Sequence, residues 1–541
     1  MYLNFSEIPG HQSLFLDYLY DFEKVSDFYK KDFRNTDAYE QHFNAVLEKH
    51  KTSGNELNEI IARQYREITS SKATQANIEL LKNPKTLAVV TGQQLGIAGG
   101  PLYTFYKIIT AIKLSKHLKE NYNDFNFVPV FWLEVDDHDF DEVRSLNVFA
   151  QDNNLTTISY EDGLPEEINR GSIGAKEFDE NINTFLNQLH DVLRPSDFKE
   201  DLFEKLKSAY FEGTNFKDAF FDLLFDTFDE YGLIIFDPGE KNVKDKLADV
   251  FRYELDNYRS HADTLVLRSA ELEERYHAQV KIRPINLFLI DNKERLAIDP
   301  DDAGYRLKGK RSVLTAEELN KRMSERPDKI SPNVILRPIC QDYLFPTAFY
   351  IGGPGEISYF AQILSLYPSF DIEAPIIYPR SSATIVEKNI SDIIAKYNIQ
   401  LKDIFNNPEN VTQLVVQKLS DHDVNDIFLE TNVKLLLLMD ELKEQIKAID
   451  PTLADVTEKT KERISQAISG LKGKTENAQK RKFETALRQI DKATMMLYPE
   501  RDLQERAINY TYYVNKYGAD ILKWIFDELS INKFEHQFLE I

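Results

Sequence analysis

The stretch LAVVTGQQLGIAGGPLYTFYK, Leu87 to Lys107, sets an apolar run against a loop holding Gly92, Gly96, Gly99, Gly100 and Pro101, and then against an amphipathic segment. Apolar residues bounded by glycine predict a strand over Leu87–Thr91. Pro101 suits the first turn of a helix that Leu102, Tyr103, Tyr106, Ile109, Ile112 and Lys113 continue. The unit is strand, loop, helix. Glycine lacks a Cβ, so it admits positive φ and the close approach of a ligand to the main chain. The free N–H groups at such a helix start, at the positive end of its dipole, form a site for phosphate or carboxylate. The stretch contains neither G-x-x-x-x-G-K-[ST] nor G-x-G-x-x-G, so neither a P-loop nor a dinucleotide-binding turn is supported. The competing reading is a turn that only packs a helix closely on a sheet.

Outward from this unit, the apolar runs Phe127–Val135, Leu233–Asp237, Leu344–Ile351 and Pro375–Pro379 alternate with helical segments such as 102–120 and 215–230. This alternation predicts an α/β core, a mostly parallel sheet with helices on both faces. Ile285–Asp291 and Arg295–Ile298 read as a hairpin around Asn292-Lys293, and Thr315-Ala316-Glu317-Glu318 as a capping box opening a helix. The core spans 1–380, with insertions at about 151–210 and 240–330. Residues 381–541 read as an all-α antiparallel coiled-coil domain. The 47 residues between Pro451 and Pro499 contain no proline, and as one helix they would reach ~70 Å. Val456, Ile464, Leu471, Leu487, Ile490 and Leu497 lie on its apolar stripe, and a helix over about 412–447 could fold back as its partner. The stripe serves either a plain helical hairpin or a dimerisation arm.

The 541 residues exceed what one core usually fills. The formal charge of −23 opposes a broad nucleic-acid or anionic-membrane footprint. The one dense basic run, Lys472-Gly473-Lys474 to Lys480-Arg481-Lys482, is interrupted by Glu476. A single cysteine, Cys340, excludes a disulfide framework and a multi-cysteine zinc site, and suits a reducing cytoplasm. The start MYLNFSEIPG has no signal-peptide pattern, and no window nears the ~20 apolar residues of a membrane span. The expectation is a soluble cytoplasmic protein with small-molecule substrates and without nucleic-acid or membrane partners.

In an open α/β sheet, ligands bind beyond the carboxyl ends of the strands. The first strand end supplies Thr91, Gly92, Gln93, Gln94, Gly96 and Gly100. The second supplies Trp132, Asp136, Asp137 and His138, whose carboxylates and imidazole suit Mg²⁺, an ammonium group or a general base, or merely cap a helix. The fourth supplies Gly352, Gly353, Gly355, Glu356 and then Tyr359 on the following helix. Arg337, Gln341 and Asp342 precede that strand, around an extended, proline-flanked segment Pro338–Asp342, where Arg337 could hold a carboxylate or phosphate bidentately. Arg380, Ser381 and Ser382 follow the last strand. Cys340 reads as a small core residue, and His117, His261 and His277 as surface positions.

Six segments carry a resemblance: VVTGQQLGIAGGPLYTFYK, PVFWLEVDDHDFDEV, SPNVILRP, QDYLFPTAFYIGGPGEISYFAQ, APIIYPRSSATIVE and LYPERDLQERAINYTYYVNKYG. In order, they closely resemble the motifs of the bacillithiol synthase family of cysteine ligases, over almost the whole chain. The resemblance implies the last step of bacillithiol biosynthesis, joining the carboxyl of L-cysteine to the amine of glucosaminyl malate. It also implies a Rossmann-type core with two connecting insertions, a C-terminal coiled coil and a homodimer. The family is similar in fold to class I aminoacyl-tRNA synthetases, which implies activation of the carboxylate by ATP with Mg. The two histidines those enzymes place after the first strand are absent here, and Arg380-Ser381-Ser382 is a loose counterpart of their later phosphate loop. Cysteine-activating relatives use a zinc held partly by cysteines, which this chain cannot build, so no zinc and no metal-ligating site residues are expected. The resulting expectation is an ATP-dependent ligase. Asp137 and His138 position or deprotonate the amine, Gly92–Gly96 hold phosphates, and Arg337 and Arg380 bind anionic groups. The alternative is a non-catalytic metabolite-binding scaffold that recruits the real ligase through its coiled coil.

Overall fold

Burial on both faces fixes where the core strands fall. The computed structural model describes residues 1–165, 168–419 and 424–541, with the side chains of Gln479 and Lys480 outside the described set. Positions 166–167 of the expected insertion, 420–423 of the expected helix 412–447 and the Lys480 side chain of the basic run thus lie outside the described residues. Strand β1, Thr86–Gln93, is buried along nearly its whole length, as are β2, Asn126–Leu133, and β4, Thr347–Gly352. Continuous apolar runs of this kind are what a parallel sheet covered by helices requires. With β3, Ile234–Phe236, and β5, Ile376–Pro379, they form a five-stranded sheet of order β5-β4-β1-β2-β3, parallel throughout. The register sets Gly92 beside Trp132 and Gly352 beside Pro379. The Rossmann-type core is therefore present.

Helix α1, Tyr103–Asn121, and helix α2, Phe216–Phe228, cover this sheet, close to their predicted limits. The segment after β3 holds a 33-residue helix, α3, Lys241–Glu273. A separate antiparallel sheet follows, containing the hairpin Leu287–Asp291 and Glu294–Asp301, with Asn292 and Lys293 at positive φ in its turn. Thr315 caps Ala316–Glu325 through a capping box, as expected. Helix α4, Arg337–Leu344, corrects the expectation of an extended segment at Pro338–Asp342. Asn333 Oδ1 accepts the N–H groups of Ile335 and Leu336, and Pro338 sits in the first turn, where its missing N–H costs nothing. Helix α5, Pro354–Ile363, follows β4.

The chain divides into two compact units, 1–384 with 503–539, and 385–502 with 540–541. This differs from a C-terminal block running unbroken from 381. Residues 503–539 belong to the first unit because Leu102 N donates to Ile508 O and the Asn509 side chain donates to Ala98 O and Gly100 O. Strand Tyr2–Leu3 also pairs antiparallel with His536–Gln537.

Within the second unit, α6, Val424–Ile449, folds back through Pro451–Leu453 onto α7, Ala454–Lys482. Lys443–Glu458, at 2.6 Å, and Lys461–Asp440 pair across the two helices. The expected single helix up to Pro499 is broken at Phe483, whose φ/ψ of −107°/18° separates α7 from α8, Glu484–Leu497. Among the described residues no helix is long and apolar enough to cross a membrane.

Candidate active site

Strand order locates the site. From β1 the chain steps to β2 and β3 on one side, then returns to β4 and β5 on the other, so β1 and β4 flank the point where the winding reverses. Connections leaving their carboxyl ends diverge and open a crevice there. A cavity of about 840 Å³ occupies this place. Gly92, Gln93 and Gln94 reach it from β1, Trp132 and Asp136–His138 from β2, and Gly353, Gly355 and Glu356 from β4. Arg337, Tyr359 and Arg380 complete the expected residues that line it. The antiparallel sheet adds Phe288 and Glu294–Ala297.

Buried charges here are compensated one by one. Lys107, on the second turn of α1, bonds Gly92 O and Gln93 Oε1, both at 2.9 Å, and pairs with Glu356. Burial pushes the Glu356 carboxyl up, yet Lys107, the Gly353 N–H at 2.8 Å and the Tyr350 hydroxyl at 2.7 Å together hold it below its ordinary value. Arg337 Nε lies 3.0 Å from Glu134, and its other nitrogens donate to Gln341 Oε1 and the Tyr350 hydroxyl. Burial pushes the Glu134 carboxyl up to about 7, with Arg337 opposing and Asp137, Asp136 and Glu356 adding to the rise. Arg380 pairs with buried Glu505 at 2.7 Å, and Asp136 with Lys244.

Asp137 differs. Its partners are the backbone N–H of His138 at 2.7 Å and the Gln94 amide at 2.7 Å, with His138 Nδ1 at 3.6 Å. Burial raises its carboxyl, but the His138 side chain, these two bonds and Arg295 hold it well below the usual carboxylate range. Arg295 Nη1 lies 2.9 Å from His138 Nδ1. A guanidinium only donates, so Nδ1 is the acceptor and Nε2 carries the ring proton. Arg295 itself is fixed by Ser331 Oγ at 2.9 Å and Pro332 O at 2.7 Å.

Seven expected residues lie outside the cavity lining. Thr91 donates to Ile351 O across the β1–β4 ladder. Gly96 packs on Gly100, whose Cα stands 2.7 Å from where a Gly96 Cβ would lie. Gly99 and Gly100 take φ of +80° and +70°, and a Cβ on Gly99 would meet Leu223, Phe105 and Tyr510 at 3.1–3.2 Å. Most of this glycine loop therefore serves close packing, and Gly92 is its glycine that reaches the cavity. Gly352 ends β4, while Ser381 donates to Ser530 O. Gln341 and Asp342 sit beneath the site, where Asp342 accepts from Gln341 and Tyr367. Cys340 is buried, and burial pushes its thiol up, in keeping with a core role. His261 is a correction: it is buried, with Nδ1 2.7 Å from Glu254, rather than a surface position. Among the described residues no group of three or more His, Cys, Asp or Glu side chains is placed to hold a metal ion.

The chain matches the N-terminal Rossmann-like domain of bacillithiol biosynthesis BshC over residues 1–381, and the C-terminal coiled-coil domain of BshC over residues 383–541. The chain belongs to the BshC family. Relatives include a protein of Salinibacter ruber named "Putative cysteine ligase BshC", 35% identical over 530 residues, 98% of this chain and 96% of the relative. A protein of Chloroherpeton thalassium with the same name is 34% identical over 550 residues, 97% of this chain and 96% of the relative. One from Chlorobaculum tepidum is 32% identical over 533 residues, 95% and 94% of the two chains.

In this BshC-family chain, sequence reasoning missed Lys107, Glu134, Arg295, Tyr103 and Tyr350 as lining residues. Two had a usable signal. Lys107 follows Tyr103 by four residues and so shares its helix face, and Glu134 lies two residues before the acidic cluster. Arg295 had none, because the antiparallel sheet that carries it is remote in sequence from the core strands.

Proposed function

We propose that this cavity forms the amide bond between the carboxyl of L-cysteine and the amine of glucosaminyl malate, with ATP and Mg supplying the activation. The carrying observation is convergence: the loops after four parallel strands meet at the reversal of winding, around a volume within the ~300–1,000 Å³ usual for small-molecule sites. Family membership and the relatives' names support the same reading. A carboxylate does not condense with an ammonium unaided. In the proposed sequence the cysteine carboxylate attacks the α-phosphorus of ATP and releases pyrophosphate. The neutral amine then attacks the acyl carbon, and AMP and a proton leave.

Each residue takes a role its contacts allow. The phosphates are assigned to the open backbone at Gly355 in the first turn of α5, where no atom lies within 4 Å of an added Cβ, since the Gly353 N–H is already held by Glu356 and Pro354 has none. Gly96 and Gly100, packed on one another, take no part. Glu134, with its carboxyl near 7, is matched to accept the amine proton at neutral pH. Asp137 holds the ammonium before that transfer, and His138, with Nδ1 engaged by Arg295, positions rather than deprotonates. Arg337 orients Glu134. Pairing through the coiled coil into a homodimer and a cytoplasmic location belong to the same reading.

The test is reconstitution. Purified protein, cysteine, glucosaminyl malate and ATP should yield the conjugate by mass spectrometry, with AMP and pyrophosphate in equal amounts. ADP and phosphate instead would replace the adenylate by an acyl phosphate. No conjugate with any nucleotide, despite metabolite binding, would favour a scaffold that recruits the ligase.

A further inference from the structure

Charge accounting around the cavity leaves a remainder. Lys107, Arg337 and Arg380 are each neutralised by a carboxylate, and the donors of Arg295 are taken by His138, Ser331 and Pro332. Lys281, Arg283 and Lys308 also line the cavity, yet among the described residues no carboxylate lies within ion-pair distance of them. They come from two anchored segments. Val280 exchanges hydrogen bonds with Gln362, its N–H donating to Oε1 at 2.9 Å and its carbonyl accepting from Nε2 at 3.0 Å. Lys308 N donates to Ala297 O at 2.9 Å, beside Gly309 at φ +81°. Both segments are therefore held in place while the cationic heads stay unspent. Lys281 and Lys308 are exposed and Arg283 half-buried, which places the three at the mouth.

The carboxylates leave the opposite remainder. Glu134, Asp136, Glu294 and Glu356 each have a Lys or Arg partner, whereas Asp137 has neither: its side chain is bonded by neutral donors, and the His138 ring 3.6 Å away accepts from Arg295 at Nδ1 and so is neutral. An occupant that completes this balance carries several negative charges at one end and a positive charge at the other. A ligand buried with its charges uncompensated would be strongly disfavoured.

We infer that Lys281, Arg283 and Lys308 form a rim subsite for a multiply charged anionic group, a dicarboxylate or a polyphosphate, and that Asp137 takes the ammonium of an occupant that carries one. Resting on the proposed function, this assigns the two carboxylates of the acceptor to the mouth and its amine to the floor beside Glu134. It also separates the acceptor, held by charge, from cysteine, whose single carboxylate and ammonium need no such rim.

The experiment compares the wild-type full chain with a K281Q/R283Q/K308Q variant by calorimetry, using glucosaminyl malate, inorganic triphosphate and L-cysteine as separate probes. Melting temperature serves as the fold control. The expected result is a Kd for glucosaminyl malate raised by about tenfold or more, a flatter salt dependence and unchanged cysteine binding. A loss confined to triphosphate keeps the rim and names polyphosphate as its occupant. Both anions binding the variant within twofold of wild type, or neither binding the wild type, overturns the inference. D137N should weaken glucosaminyl malate and spare triphosphate; equal weakening of both overturns the assigned polarity. Intact rim binding without conjugate formation would sink the ligase reading and leave the subsite standing.

Discussion

Replacing Arg380 with methionine keeps most of the side-chain volume and removes the cation facing a fully buried carboxylate. Glu505 accepts from Arg380 Nη2 at 2.7 Å, from Ser382 Oγ at 2.8 Å and from Ala383 N at 2.7 Å. Breaking a buried pair on one side costs about 3–5 kcal/mol. The two neutral donors that stay in place put this site at the lower end, about 3 kcal/mol, which for a unit of this size lowers Tm by roughly 3–4 °C. Glutamine at position 505 can keep its amide oxygen on the Ala383 N–H and donate its NH2 to the Ser382 hydroxyl, whose proton then goes to His536 Nδ1, so R380M/E505Q should recover most of the loss. The pH dependence has a definite sign. Burial raises the Glu505 carboxyl, but Arg380 and its hydrogen bonds hold it below the ordinary value. The pair's stabilisation is therefore present above the unfolded carboxylate range and lost as pH falls through the depressed value, so wild type and R380M converge on acidification. Calorimetric unfolding of the three proteins at neutral and acidic pH is the assay. R380M as stable as wild type, or a double variant as unstable as the single one, would refute the reasoning. Unchanged stability with lost anion binding would restore Arg380 to the ligand-binding role expected from the sequence.

Asp342, with its carboxyl pushed up by burial to about 6, destabilises the fold as pH rises through that value; D342N should flatten a stability drop of about 3 kcal/mol between pH 4 and 7 in urea titrations. G99A should lower Tm by several degrees, because Gly99 has φ +80° and packed neighbours, while G355A should hold or raise it and reduce conjugate formation by crowding the cavity; the reverse pattern would reassign the two loops. Leu471, in the middle of α7, is 56% exposed, so I464E/L471E should cost the single chain little and turn a sedimenting dimer into monomers. A wild type already monomeric would remove the arm from the proposal.

What could be read in advance followed the range of the forces involved. The parallel sheet was legible because residues such as Leu87–Val90 must be apolar on both faces, a constraint written into consecutive positions. Helix α4 was misread because its start depends on Asn333 reaching two N–H groups ahead, while Pro338 alone argues equally for extended chain. The break at Phe483 carries no proline or glycine to announce it. The strand-end clusters were found because strand ends are local features. Which of their members face the cavity was not, since Gly96 and Gly100 differ from Gly92 through contacts with Asn509 and with each other. Arg295 and Lys308 entered through a sheet, and Lys281 and Arg283 through the segment before it, whose placements no local pattern encodes.

The pairing of Tyr2–Leu3 with His536–Gln537 sets an order of events during synthesis. At about 5–20 residues per second, roughly half a minute to two minutes separates the two strands' emergence from the ribosome. Throughout that interval the nascent amino-terminal strand has no edge to join; within it the loop at Ala98–Gly100, once made, waits for Asn509, and Arg380, once made, waits for Glu505. The helical segment 385–502 can fold in the meantime, since its own hairpin closes locally. The larger unit thus cannot be completed until residues 503–539 have emerged, and a nascent chain stalled before residue 503 should expose an incomplete core to chaperones.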